Sequence, residues 1–204
     1  KLSPEGLESI RAVPEIENAF PMVSRQVRAE RDVLSSDVNL NLVEAGYFDL
    51  DGIKLEKGEV FSDDGDGIVV SASILKLLGM NGDNGLNQKV KLFIKKDMNK
   101  KDDDNLIEKE YRVKGILKDS SEAIVYAPLR GVENDIKIEK FSKIKVKAVS
   151  GDKVAAAKNA IIEKGFFVGS ISELVEQAKQ VFNVANIMLV LFGAVALIVS
   201  AIGM

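Results

Sequence analysis

The sequence of 204 residues contains no cysteine and no histidine. Without cysteine the chain forms no disulfide and offers no thiolate to a metal ion. Without histidine it lacks the commonest general base and metal ligand, which excludes every site that pairs a serine or cysteine nucleophile with histidine. We therefore predict no catalytic residue, no metal site and no cofactor site in this chain, and hence no enzymatic activity.

A basic excess is also missing, since 28 Lys and Arg residues stand against 31 Asp and Glu residues, for a net charge of −3. Surfaces that bind nucleic acid normally show clustered basic residues, so we predict no nucleic-acid partner. With only four prolines and 46% hydrophobic residues, the composition is that of an ordinary folded chain. About 180 residues lie outside the apolar C-terminal stretch, which is enough for one domain or two small ones.

A helix is predicted to begin at Ser170, because Glu173 follows three residues later and completes a capping box. Apolar residues then recur at the three- and four-residue spacing of one helical face. They are Leu174, Ala178, Val181, Phe182, Ala185, Met188 and Leu189. The first turns are therefore amphipathic, and the pattern contains no break before the more apolar segment that follows.

No charged residue follows Lys179, and residues 185–204 are apolar except for Asn186 and Ser200. At 1.5 Å per residue, such a helix crosses a hydrocarbon core of about 30 Å. We predict a transmembrane helix; the alternative is the buried central helix of a soluble protein. The sequence opens without an initiator methionine and ends inside the apolar run, so we expect a fragment of a longer membrane protein.

Small residues form a ridge along this helix at steps of three, four and three: Gly193, Ala196, Ser200 and Gly203. Membrane helices use such ridges to approach one another closely, because hydrophobicity gives them no drive to associate within lipid. The ridge therefore predicts packing against another helix.

The remaining sequence predicts an α+β fold, because strand patterns cluster in the middle while helical patterns occur singly. Residues 16–31 and 37–44 alternate polar and apolar side chains and are expected to form a hairpin. A helix over 153–163 between strands at 144–149 and 166–168 suggests a βαβ unit. Residues 57–143 would then be an insertion with a second small sheet.

Two short motifs around a glycine turn resemble ligand sites. The turn that starts at Gly65 lacks the third glycine of a dinucleotide fingerprint, because Val70 stands there, and it precedes a strand instead of following one. Asp63, Asp64 and Asp66 could offer oxygen ligands to calcium, but an EF-hand loop would need glutamate where Leu75 stands. A solvated turn explains both motifs.

Three further patterns have plain structural explanations. Ser73 and Lys76 fit the Ser-x-x-Lys pattern of penicillin-recognising enzymes, but the companion motifs are missing, which favours the polar face of a short helix. The acidic run at 102–104 beside two lysines is typical of a loop tip. A basic run could contact lipid headgroups or acidic peptides, although one solvated strand face explains it equally; it comprises Lys137, Lys140, Lys143, Lys145 and Lys147.

Several short motifs follow one another along the chain: Gly58-Glu59-Val60-Phe61, Ile68-Val69-Val70-Ser71 with Leu77-Leu78-Gly79, Gln88-Lys89-Val90-Lys91-Leu92, Tyr111-Arg112-Val113-Lys114-Gly115-Ile116-Leu117, Val125-Tyr126-Ala127-Pro128-Leu129, Gly165-Phe166 and the C-terminal helix. Their order resembles the extracytoplasmic core domain of MacB-like ABC transporter permeases, of the FtsX superfamily. One departure is Gly85-Leu86-Asn87, where the family commonly has Pro-(Ile/Val)-Gly. Asparagine tolerates left-handed backbone, so we expect the turn to be preserved.

The resemblance implies a domain between the first and second of four membrane helices, on the extracytoplasmic side of the cell membrane. It implies a porter-like part from residues 1–56 and 144–180, an inserted part from 57–143, and the start of a transmembrane helix at 181–204. It also implies a permease homodimer that acts with an ABC ATPase, fused or separate, on peptides, lipoproteins or macrolides. ATP hydrolysis would then move a substrate or partner outside the membrane.

Two other functions stay open. A membrane-anchored extracytoplasmic module for binding or sensing would show the same anchor. A membrane-anchored enzyme is the third possibility, although no catalytic set assembles from these residue types. No Walker lysine motif is present, so any ATP chemistry belongs to another chain or segment.

Overall fold

The computed structural model describes residues 1–81, 84–98, 105–118, 121–169 and 171–203, with the backbone alone at 171–177. The helices are α1 Pro4–Arg11, α2 Gly46–Asp51, α3 Ala72–Leu77, α4 Val154–Glu163 and α5 Ile171–Ile202. The strands are β1 Ile16–Arg31, β2 Leu34–Val43, β3 Leu55–Gly58, β4 Gly67–Ser71, β5 Lys89–Lys95, β6 Leu106–Leu117, β7 Ile124–Pro128 and β8 Lys143–Ala148. The chain divides into two compact units, Lys1–Ala160 and Ile161–Met204, which we describe separately.

One sheet organises the first unit, and β1 is the strand on which it depends. The strands follow the order β2-β7-β4-β6-β5-β1-β8, and β3 pairs with β6. An additional pairing between β1 and β2 closes six of these strands into a ring, so the sheet forms a small barrel. The 16 residues of β1 make this possible, because its first half pairs with β8 and its second half with β2 and β5.

The α+β prediction and the hairpin prediction are confirmed. β1 and β2 pair antiparallel from Met22 opposite Val43 to Arg31 opposite Leu34. β5 alternates in the same way, since Val90, Leu92 and Ile94 are buried and Lys89, Lys91 and Lys95 are exposed.

The predicted βαβ unit is wrong. A βαβ unit needs a second strand parallel to β8 after helix α4, but the only described strand that pairs with β8 is β1, which runs antiparallel to it. Residues 166–168 form no strand, and Phe167 is 99% exposed. A run of three apolar residues resembles a strand, but a strand needs hydrogen bonds from a neighbour, and no described strand pairs with this run.

The separate sheet predicted for residues 57–143 is also wrong. β5 lies between β6 and β1, and β7 lies between β4 and β2, so strands from both predicted parts share one sheet. Alternation in the sequence shows which face of a strand is buried, but it does not show which strand lies beside it. For this reason the sequence patterns placed the strands of residues 57–143 in a sheet of their own. The division into 1–56 with 144–180 and 57–143 stays a prediction.

One turn and one buried cation help to fix this arrangement. Asn87 has φ 62, which confirms that asparagine takes the left-handed turn expected at this position, and its N–H donates to the Val113 carbonyl at 2.8 Å. Arg25 is only 8% exposed, and its guanidinium donates to the carbonyls of Lys95 and Lys137. Its desolvation lowers its pKa from the ordinary value. Arg25 therefore ties β1 to the end of β5.

Aromatic side chains fill the core at one side of the sheet. Tyr47, Phe48 and Phe61 are buried there. Phe48 meets Phe61 edge-to-face with centroids 5.6 Å apart, and Tyr126 with centroids 5.2 Å apart. Such pairs add about 0.5–1.5 kcal/mol each beyond the burial of their area, so α2 is held firmly against β7.

Candidate functional site

The principal candidate site is helix α5, which runs without interruption for 32 residues from Ile171 to Ile202. Its segment Ala178–Ile202 has 25 residues and a mean hydropathy of 2.5. At 1.5 Å per residue this segment is about 37 Å long, more than the roughly 30 Å of a hydrocarbon core. By length and composition α5 is a candidate membrane span. The predicted cap, Ser170, lies outside the described residues.

Exposure of the apolar side chains distinguishes a transmembrane helix from the buried central helix of a soluble protein. None of the most apolar window is buried. Phe192 is 71% exposed, Leu197 74% and Ile202 81%. A helix in the centre of a soluble domain would bury such side chains, since each gains about 1.5–3 kcal/mol from full burial. The exposure favours the membrane helix over a buried core helix.

The predicted ridge residues Gly193, Ala196 and Ser200 lie within α5, and Gly203 follows its last residue. The N–H of Gly203 donates to the Val199 carbonyl at 3.0 Å, which continues the helical hydrogen bonding. A Cβ built at Gly193 would meet no atom within 4 Å. The ridge is therefore open, and its packing against another helix stays a prediction.

Polar residues of the other motifs are engaged in structural contacts. The Ser73 hydroxyl donates to the Ser121 carbonyl at 2.9 Å. The Asp63 carboxylate accepts the Ala45 N–H at 2.6 Å, at the residue that precedes α2. Asp66 lies 4.0 Å from Arg112. No group of three metal-binding side chains occurs among the described residues, and the acidic run at 102–104 lies outside them.

The basic run is largely paired with acids. Lys147 lies 2.8 Å from Glu17, and Lys137 lies 2.7 Å from Glu139. Lys145 forms an ion pair with Asp51, and both side chains are only about a quarter exposed. This pattern fits a solvated strand face that is crossed by ion pairs. Each exposed pair contributes at most about 1 kcal/mol to the stability of the fold.

An open groove of about 430 Å³ lies where α2 ends, β6 ends and β7 begins. Its lining residues are Gly52, Ile53, Lys54, Leu117, Lys118, Ile124 and Tyr126. The Lys118 N–H donates to the Lys54 carbonyl at 3.0 Å, which places the two lysines opposite each other on neighbouring segments. Sequence patterns missed this Lys54–Lys118 groove because its residues come from three distant segments. Only the fold brings them together.

Tyr111 carries a buried polar group that the fold does not use. Its side chain is 4% exposed, and its hydroxyl has no hydrogen-bond partner among the described residues. Burial raises the pKa of Tyr111 to about 12, and the charge of Asp135 adds to the shift. An unfolded tyrosine ionises near pH 10. Between about pH 10 and pH 12 the unfolded state therefore loses the proton first, and stability falls as pH rises.

We expect Tyr111→Phe to leave the free energy of unfolding at neutral pH unchanged, or to raise it by up to about 1 kcal/mol, because no hydrogen bond is lost. The variant should also lose less stability above about pH 10 than the parent chain. Thermal unfolding over a pH series measures both effects. Tyr47→Phe is the control, because the Tyr47 hydroxyl bonds to Asp51; equal destabilisation by the two changes would show that Tyr111 has a partner.

Comparison with known proteins gives a family and a fold. A family model described as MacB-like periplasmic core domain matches residues 1–164. The periplasmic region of MacB from Actinobacillus actinomycetemcomitans superposes with a TM-score of 0.66 at 20% identity, over 88% of this chain and 83% of that chain. The extracellular domain of the ABC-type transporter YknZ from Gram-positive bacteria superposes with a TM-score of 0.58 at 16% identity, over 76% and 78%. No curated protein matches the sequence significantly.

Proposed function

The chain belongs to the MacB-like periplasmic core domain family, and we propose that it transmits ATP-driven movement from a membrane permease to the space outside the membrane. It is the extracytoplasmic domain of an ABC transporter permease and carries a candidate transmembrane helix at its C-terminal end. The proposal concerns what the domain does: it moves a substrate or partner on the outer side of the membrane, while ATP hydrolysis takes place in another chain or segment.

The continuity of α5 is the observation that carries this proposal. The helix begins at Ile171 and the apolar span begins at Ala178, so seven residues of helix precede the span, about 10 Å. A continuous helix moves as one rigid element, so displacement of its membrane part also displaces its outer end. The chain has no proline after Pro128, and proline is the commonest cause of a sharp break in a helix.

Partners follow from the family and from the ridge. Permeases of this family act in a membrane with an ABC ATPase. We further propose a homodimer of permeases, and helix packing through Gly193, Ala196, Ser200 and Gly203. Peptides, lipoproteins and macrolides are the substrate classes to test first, and the described residues favour none of them over the others.

Breaking the helix just inside the start of the span tests the transmission. In the complete permease with its ATPase, Lys179→Pro should abolish ATP-dependent movement of the outer domain while ATP hydrolysis continues, because proline removes a helical hydrogen bond and clashes with the preceding turn. Lys179→Ala is the control. The 204 residues lack cysteine, so Glu133→Cys on the exposed surface of the first unit adds one spin-label site to this part of each copy, and any cysteine elsewhere in the permease or its ATPase is first replaced by serine.

Pulsed spin-label distances between the two copies of a dimer would be compared with and without ATP. Movement that survives Lys179→Pro would contradict transmission through α5. Absence of any ATP-dependent movement in the parent permease would favour the alternative, a membrane-anchored module for binding or sensing.

A further inference from the structure

The Lys54–Lys118 groove carries a charge arrangement that the fold alone does not explain. Residues directly opposite each other on paired antiparallel segments place their side chains on the same face, with Cβ atoms about 4.5–5.5 Å apart. Leu55 pairs with Leu117, and the hydrogen bond from Lys118 to Lys54 extends this pairing by one step. Like charges at such a position destabilise the pair.

Neither of these two lysines forms an ion pair within the part of the chain that the structure describes, and both are exposed. Two acids, Asp51 and Glu122, act on nearby Tyr126. Asp51 is engaged by Lys145, and neither acid forms an ion pair with Lys54 or Lys118 among the described residues. On β5 and β6 the arrangement is the opposite, because Lys89 meets Glu110 and Lys91 meets Glu108, each at 2.6 Å.

The floor of the groove is apolar. Ile53, Leu117 and Ile124 line it together with the ring of Tyr126, which Phe48 holds edge-to-face. Its volume of about 430 Å³ falls within the roughly 300–1,000 Å³ of small-molecule sites. Two cations at the rim of an apolar floor complement a ligand with one anionic group and an apolar body.

We propose that the Lys54–Lys118 groove binds a small amphiphilic carboxylate, with the carboxylate between the two ammonium groups and the apolar body on the floor. The inference does not depend on the transmission function, since it concerns only the first unit. Two sources share this chemistry: an acyl-chain carboxylate, and a peptide C-terminus that follows apolar residues. Octanoate represents the first source, and N-acetyl-leucyl-leucine represents the second.

The test is calorimetric titration of the full chain in lipid nanodiscs, with empty nanodiscs as the blank. We expect octanoate or N-acetyl-leucyl-leucine to bind at least about 10-fold more tightly than the matching uncharged amide, because only the acids carry the charge. The acid that binds more tightly identifies the source. Lys54→Gln with Lys118→Gln should remove this preference, whereas Lys89→Gln with Lys91→Gln, with the same loss of charge on exposed strands, should keep it.

Folding of the double variant gives a second, independent readout. Removing two facing like charges should raise the melting temperature of the ligand-free chain, so a loss of binding would not come from unfolding. The proposal is overturned if neither acid binds, if the amides bind as tightly as the acids, or if the control pair of substitutions removes the preference equally.

Discussion

Replacing Gly58 with alanine is expected to destabilise the first unit by about 4 kcal/mol or more, which is a large fraction of the roughly 5–15 kcal/mol that holds a domain folded. Gly58 ends β3 with φ 81, a conformation that side chains rarely adopt. A Cβ there would lie 2.1 Å from the Lys114 carbonyl oxygen and 3.0 Å from the Gly115 Cα. The backbone of β6 would have to move, and β6 contacts β3, β4 and β5.

Two further glycines separate the causes of this effect. Gly52 has φ 65 but no atom within 4 Å of its built Cβ, so Gly52→Ala should cost only the left-handed strain, about 1–2 kcal/mol. Gly115 does not have a positive φ, but its Cβ would lie 2.7 Å from the Glu59 carbonyl oxygen, so Gly115→Ala tests the close approach alone. Urea unfolding of the three variants measures the differences. Equal losses for Gly52→Ala and Gly58→Ala would show that β3 and β6 separate without difficulty.

Local features of this fold could be predicted from the sequence. The hairpin follows from alternation, the buried face of β5 from Val90, Leu92 and Ile94, and the turn at Asn87 from the tolerance of asparagine for left-handed backbone. Each depends on residues that are close together in the chain. The uninterrupted α5 is likewise indicated by the spacing of its apolar residues.

Closure of the sheet could not be predicted. It depends on β2 beside β7 and β1 beside β5, which pair residues such as Leu40 with Val125 and Ala29 with Leu92 across long stretches of chain. Alternation shows which face of a strand is buried, but it does not show which strand pairs with it. The Lys54–Lys118 groove was missed for the same reason, because Lys54 and Lys118 become neighbours only when β3 pairs with β6.

The second large effect is expected at the ridge of α5. In the complete permease, Gly193→Leu with Ala196→Leu should lower the free energy of unfolding of the membrane part by about 1–3 kcal/mol, the usual cost of overfilling a packed contact. Leucine is a better helix former than glycine, so α5 itself should not be weakened. The loss would come from the neighbouring helix, which small residues allow to approach closely.

Thermal unfolding in a mild detergent measures this loss, and Ala194→Leu is the control, because it adds the same volume as Ala196→Leu. Ala194 is exposed and lies about 100–180° around the helix from each of the four ridge residues, so the added volume points away from the ridge. We expect the control to remain within about 0.5 kcal/mol of the parent permease, as substitutions outside packed contacts usually do. If Ala194→Leu is as harmful as the ridge variant, α5 is packed on both faces and the small residues do not select one of them. If neither change has an effect, α5 faces lipid all round, and its part in the permease is that of an anchor and a rigid connection alone.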